Sequence, residues 1–267
     1  MSLLTVENLE IAYRHEGRRI PAAEGVSFAV EPGEVLALVG ESGSGKSSVA
    51  LALTRLLPPS AECSGAVRFE GTELLTAPEH ALLRIRGGRI AYVFQDPAGS
   101  LNPVLTIGEQ LLETISRHSG ARGAGAEARV VEWLERVGIR DAAERLRAYP
   151  HEFSGGMQQR VMIAMALAGQ PELLVADEPT TALDVTVQVQ ILRLLRDLQH
   201  SLKLSVLLIS HDLTVVERLA HRIGVMSQGR LVELGRAEQV LRAPQHPYTK
   251  ELLRYRSMLS LPGRRDG

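Results

Sequence analysis

Hydrophobic and polar positions follow two patterns along the chain. Residues 3 to 13, 25 to 30 ("GVSFAV") and 64 to 69 ("SGAVRF") alternate or run with strand-forming residues between turn-rich pieces, which predicts an antiparallel sheet near the N-terminus. The second pattern is a set of short continuous apolar runs: "VLALVG" at 35 to 40, "LLVAD" at 173 to 177, "SVLLIS" at 205 to 210 and "IGVMS" at 223 to 227. Such runs suit strands buried on both faces. Helical stretches at about 46 to 56, 185 to 201 and 212 to 220 lie between them, and strands alternating with helices make a parallel α/β sheet. From Pro97 to about Ala168 helices take over ("TIGEQLLETIS", "EARVVEWLERVG", "AAERLR"), broken by a flexible turn expected at "SGARGAGAE". The expected organisation is a core of 1–96 and 169–243 that includes the antiparallel part, a helical insertion at 97–168, and a polar, basic tail at 244–267 that is partly loose.

Composition narrows the class of protein. The 267 residues suffice for one large domain or two modest ones, at roughly 150 residues per domain. With 45% apolar residues, 23% charged residues and a formal net charge of -1, there is no bulk attraction to nucleic acid or anionic lipid. The longest apolar stretch, 161 to 176, is broken by Gly169, Gln170, Pro171 and Glu172 and falls short of the roughly 18 residues of a membrane span. The N-terminus reads as a strand and not as a secretory leader, so a cytosolic protein is expected. A single cysteine, Cys63, rules out an internal disulfide and a cysteine-built metal site and is expected as a small apolar filler. Of the basic residues only Lys46, Lys203 and Lys250 are lysine, so a lysine inside a glycine loop stands out.

That lysine closes "GESGSGKS", Gly40 to Ser47, which lies after a buried strand and before a helix. Gly40, Gly43 and Gly45 let the backbone curl with its N–H groups inward, the following helix adds a positive end, and Lys46 adds a point charge for the β and γ phosphates. Ser47 places a hydroxyl on Mg²⁺. The expected fold class is therefore α/β, a phosphate-loop (RecA-like) parallel-sheet core with an N-terminal antiparallel β-subdomain and an inserted α-helical subdomain. "LLVADE" ends a strand in two acids, where α/β sheets bind ligands: Asp177 would hold the metal through water, and Glu178 would orient or deprotonate the attacking water. Either acid alone could simply cap the next turn, a reading that is weak for the pair after four apolar residues.

His211 after "SVLLIS" is a γ-phosphate contact only in that company; alone it reads as structural. Gln95, taken as the end of another strand, reaches a metal or water, or caps a turn. Tyr13, read as the last residue of the first strand, stacks on a base or fills core space. In "HEFSGGMQQR", 151 to 160, Ser154 caps a helix that begins with Gly155 and Gly156, and its bare N–H groups can bind an anion without a lysine. The competing reading is a pair of glycines that lets helices pack closely.

The order of "GESGSGKSS", "FQDP", "FSGGMQQR", "LLVADEPTTALD" and "LLISHD" resembles the ATP-binding subunit of an ABC transporter over essentially the whole chain. "FQDPAGSLNP", "YPHEFSGGMQQRVMIAMALA" and "HPYTKELL" resemble the peptide and nickel importer branch of that family. The resemblance implies two such subunits closing head to tail, with each ATP between one phosphate loop and the other subunit's Ser-Gly-Gly segment. Tyr13 then stacks on adenine, and Gly40, Ser42, Gly43, Ser44, Gly45, Lys46, Ser47 and Ser48 hold the phosphates and Mg²⁺. Gln95 senses the metal and couples to membrane subunits, and Ser154, Gly155 and Gly156 contact the opposite ATP. Glu178 is the catalytic base, Asp184 lies at the dimer interface, and His211 holds the γ-phosphate.

The implied partners are a second ATP-binding subunit, two membrane-spanning permease subunits and, indirectly, a solute-binding protein, with no nucleic acid. The implied place is the cytoplasmic side of the membrane. Two departures stand out: the signature reads Phe-Ser-Gly-Gly-Met where the commonest form is Leu-Ser-Gly-Gly-Gln, and no cysteine-bearing segment follows "HPYT". Three rivals are weaker. An ATPase acting on nucleic acid or ribosomes usually carries two cassettes or a long coiled insertion, an exporter commonly carries fused membrane helices, and a degenerate cassette would lack catalytic positions that are all filled here.

Overall fold

The computed structural model describes residues 2–181 and 183–259. In chain order the elements are β1 (Leu4–His15), β2 (Arg18–Val30), β3 (Val35–Val39), α1 (Lys46–Ala52), β4 (Ala61–Phe69), β5 (Thr72–Glu73), α2 (Glu79–Ile85), β6 (Ile90–Val93), α3 (Pro97–Ser100), α4 (Ile107–Ser119) and α5 (Ala124–Arg136). They continue with α6 (Ala142–Arg145), α7 (Gly155–Ala168), β7 (Leu173–Asp177), α8 (Val185–Leu202), β8 (Ser205–Ser210), α9 (Leu213–Leu219), β9 (Arg222–Ser227), β10 (Arg230–Arg236), α10 (Ala237–Arg242) and α11 (Pro247–Leu259). Thr76–Leu207 forms one compact unit, and the segments before and after it form the other. The helical stretch 97–168 lies wholly within the first of these.

The unit built from the two ends of the chain contains the antiparallel sheet, in the order β2-β1-β4-β5, as the alternating pattern predicts. Its strands are longer than the pattern shows. β1 runs on to His15 and β2 starts at Arg18, because Glu16 and Gly17, both at positive φ, make a tight hairpin whose polar arms pair Arg14 with Arg19 and His15 with Arg18. Tyr13 therefore sits inside β1 and not at its end. Cys63, expected in the core, is exposed. Between Val67 and Cys63 the ladder is irregular: β1 carries one extra residue, Asn8 (φ 47) and Leu9 facing the single Gly65 (φ +103), and the burial of Val67 and Phe69 does not extend back past it to Cys63.

The same unit holds the apolar strand β3, every residue of which is buried, lying between β9 and β8. β3 and β9 are parallel; β10, which the pattern did not reveal, returns antiparallel to β9. Its residues are only half-buried in the middle and exposed at both ends, so β10 carries no apolar run to announce it. Helix α1 ends at Ala52 and not near 56, since Arg55 turns left-handed (φ 56) ahead of Pro58 and Pro59. Residues 247–259 of the expected loose tail form α11; the remainder, 260–267, lies outside the described residues.

In the Thr76–Leu207 unit, β6 and β7 pair in parallel, with Val93 opposite Ala176. β6 stops at Val93, so Gln95 is in the loop after the strand. The helices bury apolar stripes at helical spacing: Ile107, Leu111 and Ile115 on α4, and Val130 and Leu134 on α5. The break between α4 and α5 is shorter than expected. Gly120 (φ 68) ends α4, Gly123 (φ 60) starts α5, and the following "AGAE" is helical. Truncating the fully buried Leu111 to alanine should cost roughly 2–5 kcal/mol in urea unfolding, whereas Leu83→Ala, on the exposed side of α2, should cost less than about 0.5 kcal/mol.

Candidate functional site

The loop after β3 is shaped by backbone that tolerates no side chain. Gly40 has φ +154, and a Cβ there would lie 2.1 Å from the Met226 carbonyl oxygen; at Gly45 (φ +96) it would lie 2.0 Å from that of Ala22. Gly43 meets open space and is needed only for its φ of +80. The curled loop is closed by Ser44 N–H donating to the Glu41 carbonyl (3.2 Å). Lys46, only 4% exposed, turns back over the loop and donates to the carbonyls of Gly40 (2.9 Å) and Glu41 (2.7 Å) and to Ser44 Oγ (3.2 Å). Its ammonium is thereby fixed over the concave backbone, while Ser42, Gly43 and Ser47 remain exposed to an incoming ligand. Tyr13, half-buried, shares a hydrogen bond of 2.9 Å with Ser48 on α1, so the strand that carries the aromatic ring is tied to the same helix. His211 is exposed just past β8, next to Asp212, which caps α9 through Thr214 N–H (2.7 Å).

The other unit carries a polar cluster at the end of β7. Glu178 adopts φ +47, a left-handed conformation uncommon outside glycine, in a turn that Thr181 N–H closes onto its carbonyl at 3.1 Å. Its carboxylate oxygen Oε2 accepts from Gln95 Nε2 (3.1 Å) and from Thr181 Oγ1 (2.9 Å). Gln95, from the loop after β6, and Glu178, from the loop after β7, meet because the two strands are parallel neighbours ending side by side. Asp177 is the last residue of β7 and half-buried. Thr181 was not singled out in the sequence; its place three residues after Glu178 in "EPTT" is the signal that could have found it.

Two helix starts complete that unit. Ser154 caps α7, accepting from Met157 N–H at 3.4 Å, and the N–H groups of Gly155 and Gly156 have no acceptor inside the helix. Asp184 caps α8, accepting from Val187 N–H at 3.0 Å. The two first turns touch: a Cβ on Gly156 would come 2.6 Å from Val187 Cγ1, and one on Gly155 3.8 Å from Leu183 Cδ2. Behind them Arg160 bridges α7 to the end of α5 (Val137 carbonyl, 2.6 Å) and to α8 (Gln190 Oε1, 3.1 Å), and burial holds its guanidinium below its ordinary pKa. The close packing that the sequence offered as one reading of this glycine pair is thus observed.

A curled glycine loop with a buried lysine, followed by strand-end acids in one α/β chain, defines a phosphate-loop nucleotide-binding protein. The family model described as ABC transporter matches residues 23–181, and the chain belongs to the ABC transporter family. It is 52% identical over 254 residues to the uncharacterised ABC transporter ATP-binding protein YejF of Escherichia coli, covering 94% of this chain and 48% of that one. It is 53% identical to the peptidoglycan transport ATP-binding protein YejF of Agrobacterium fabrum (94% and 46%). To the oligopeptide transport ATP-binding protein OppD of Bacillus subtilis it is 47% identical (94% and 71%). The chain thus spans about half the length of the two YejF proteins. Among solved structures, the dimeric cassette MJ0796 bound to ADP and Pi superposes with a TM-score of 0.78 at 28% identity, over 88% of this chain and 98% of that one. The fold is the ABC cassette, mixed α/β with an antiparallel N-terminal sheet and a parallel core.

The packing of the two helix starts yields a stability test. Gly156→Ala should destabilise the protein by roughly 1–3 kcal/mol in thermal or urea unfolding through overpacking, and adding Val187→Ala should restore most of the loss. Additive effects of the two changes would contradict the contact.

Proposed function

We propose that this chain is the ATP-binding and ATP-hydrolysing subunit of an ABC importer that takes up peptides. The observation that carries the hydrolytic part is the Glu178 carboxylate, held at the end of β7 by Gln95 and Thr181 with its backbone in a left-handed turn. A carboxylate oriented in this way can accept a proton from a water that attacks the γ-phosphate, and Gln95 keeps it aimed until substrate arrives. The N–H groups of the 40–48 loop and Lys46 take the phosphates, so that charge built up in transfer is met by donors already in place. Tyr13 stacks on the base, and His211 contacts the γ-phosphate.

Among the described residues no three His, Cys, Asp or Glu side chains cluster to hold a metal. A hydroxyl (Ser47), a carboxylate (Asp177) and an amide oxygen (Gln95) are hard oxygen donors of the kind that suit Mg²⁺, which keeps most of its waters and takes one or two protein ligands together with substrate phosphates. Ser47, Gln95 and, through water, Asp177 would hold it, and when bound the ion would neutralise phosphate charge and orient the transferred group. Ser154, Gly155 and Gly156 serve a second cassette: the N–H groups at the start of α7 bind the γ-phosphate of ATP seated on a partner ATP-binding subunit, a copy or a paralogue, that closes head to tail, and Asp184 lies at the interface between the two. The dimeric cassette of the solved relative supports this pairing.

The transport part follows from the relatives. The names of the Bacillus OppD and DppD proteins and of the Agrobacterium YejF refer to oligopeptide, dipeptide and peptidoglycan transport, which favours the peptide side of the branch over nickel. No described helix is long and apolar enough to cross a membrane. In the proposed assembly the solute path is supplied by two permease subunits, and this chain sits on them at the cytoplasmic face. The catalytic reading is tested by Glu178→Gln. That variant should bind ATP with near-normal affinity and lose at least about 100-fold in steady-state turnover, while Lys46→Ala should lose the binding itself. Normal hydrolysis by the glutamine variant would remove Glu178 from its role.

A further inference from the structure

The segment "HPYT", 246 to 249, belongs to neither the catalytic cluster nor the helix starts, yet it reaches the phosphate loop. Glu233 on β10 anchors it, one carboxylate oxygen accepting from Gln245 N–H (2.8 Å) and the other from His246 N–H (3.0 Å). His246 Nδ1 then accepts from Tyr248 N–H (3.2 Å), and Thr249 is 1% exposed, so the first turn of α11 is fixed on both sides of Tyr248. From there the Tyr248 hydroxyl accepts from the backbone N–H of Glu41 at 3.3 Å.

That N–H and the carbonyl of Gly40 are the two ends of one peptide group. The carbonyl end accepts from Lys46 Nζ at 2.9 Å. Because a peptide is planar, fixing its N–H fixes the direction of its carbonyl. Gly40, at φ +154, is held on one side by its close approach to Met226, and Tyr248 adds a second hold on the peptide that follows it. We propose that Tyr248 is a positioning residue of the phosphate loop: by holding the Gly40–Glu41 peptide it aims the carbonyl that seats Lys46, and the His246–Thr249 segment thereby sets the affinity for ATP. This rests on the reading of the loop as the ATP site.

The test is Tyr248→Phe, which keeps the ring and removes the hydroxyl. Titration with a fluorescent, non-hydrolysable ATP analogue should show the Kd raised roughly three- to tenfold, the change expected for one modest hydrogen bond. KM for ATP should rise by the same factor, with kcat at saturating ATP and the nucleotide-free melting temperature unchanged. A purely structural role for Tyr248 would lower the melting temperature and leave Kd alone, and that result overturns the proposal. So does a wild-type protein that binds the analogue while Tyr248→Phe binds it equally well. If the wild type itself fails to bind, or binds no better than Lys46→Ala, the ATP reading of the loop falls, and this proposal with it.

Discussion

The structure depends first on backbone brought too close to its neighbours for any side chain. At Gly40 and Gly45 a single methyl group would collide with the carbonyls of Met226 and Ala22, at 2.1 and 2.0 Å. Those contacts hold the loop in its curl before any ligand arrives, with Lys46 tied to the carbonyls of Gly40 and Glu41. A site organised in advance spends little of its binding energy on ordering itself. The glycines therefore do two things at once: they permit the left-handed backbone and they allow the close approach that locks it.

The same principle operates a second time, without a lysine, where α7 and α8 begin. Gly156 is flat against Val187, Ser154 and Asp184 cap the two helices, and Arg160 ties both to α5. The result is a pair of packed helix starts whose first N–H groups have no acceptor inside their helices. On the proposed reading it completes the nucleotide site of another subunit, so that closure of two cassettes, and not occupancy of one, creates a competent centre. Glu178 is then poised by Gln95 and Thr181 on its own chain and waits for that closure.

Much of this was legible in the sequence because the strongest signals are local. "GESGSGKS" after five apolar residues specifies its own geometry, and "SGG" after a turn specifies a cap and a helix start. Continuous apolar runs marked β3, β7, β8 and β9 because buried parallel strands need them. Elements governed by distant contacts were not legible. β10 owes its strand to pairing with β9, Cys63 is exposed beyond a bulge that β1 makes at Asn8 and Leu9, and the length of β1 and β2 comes from a hairpin of polar residues that no hydrophobic pattern records. The roles of Thr181, Val187 and Tyr248 likewise emerge only from side chains meeting in space.

The central claim is that the two glycine-built elements serve different nucleotides, the 40–48 loop that of its own chain and the 154–156 segment that of a partner. Equilibrium binding of a non-hydrolysable ATP analogue to the isolated subunit, at concentrations where it stays monomeric, tests this most directly by comparing wild type, Lys46→Ala and Ser154→Ala. The account predicts that Ser154→Ala binds like wild type while Lys46→Ala does not. A loss of monomer affinity in Ser154→Ala as large as that in Lys46→Ala would contradict it.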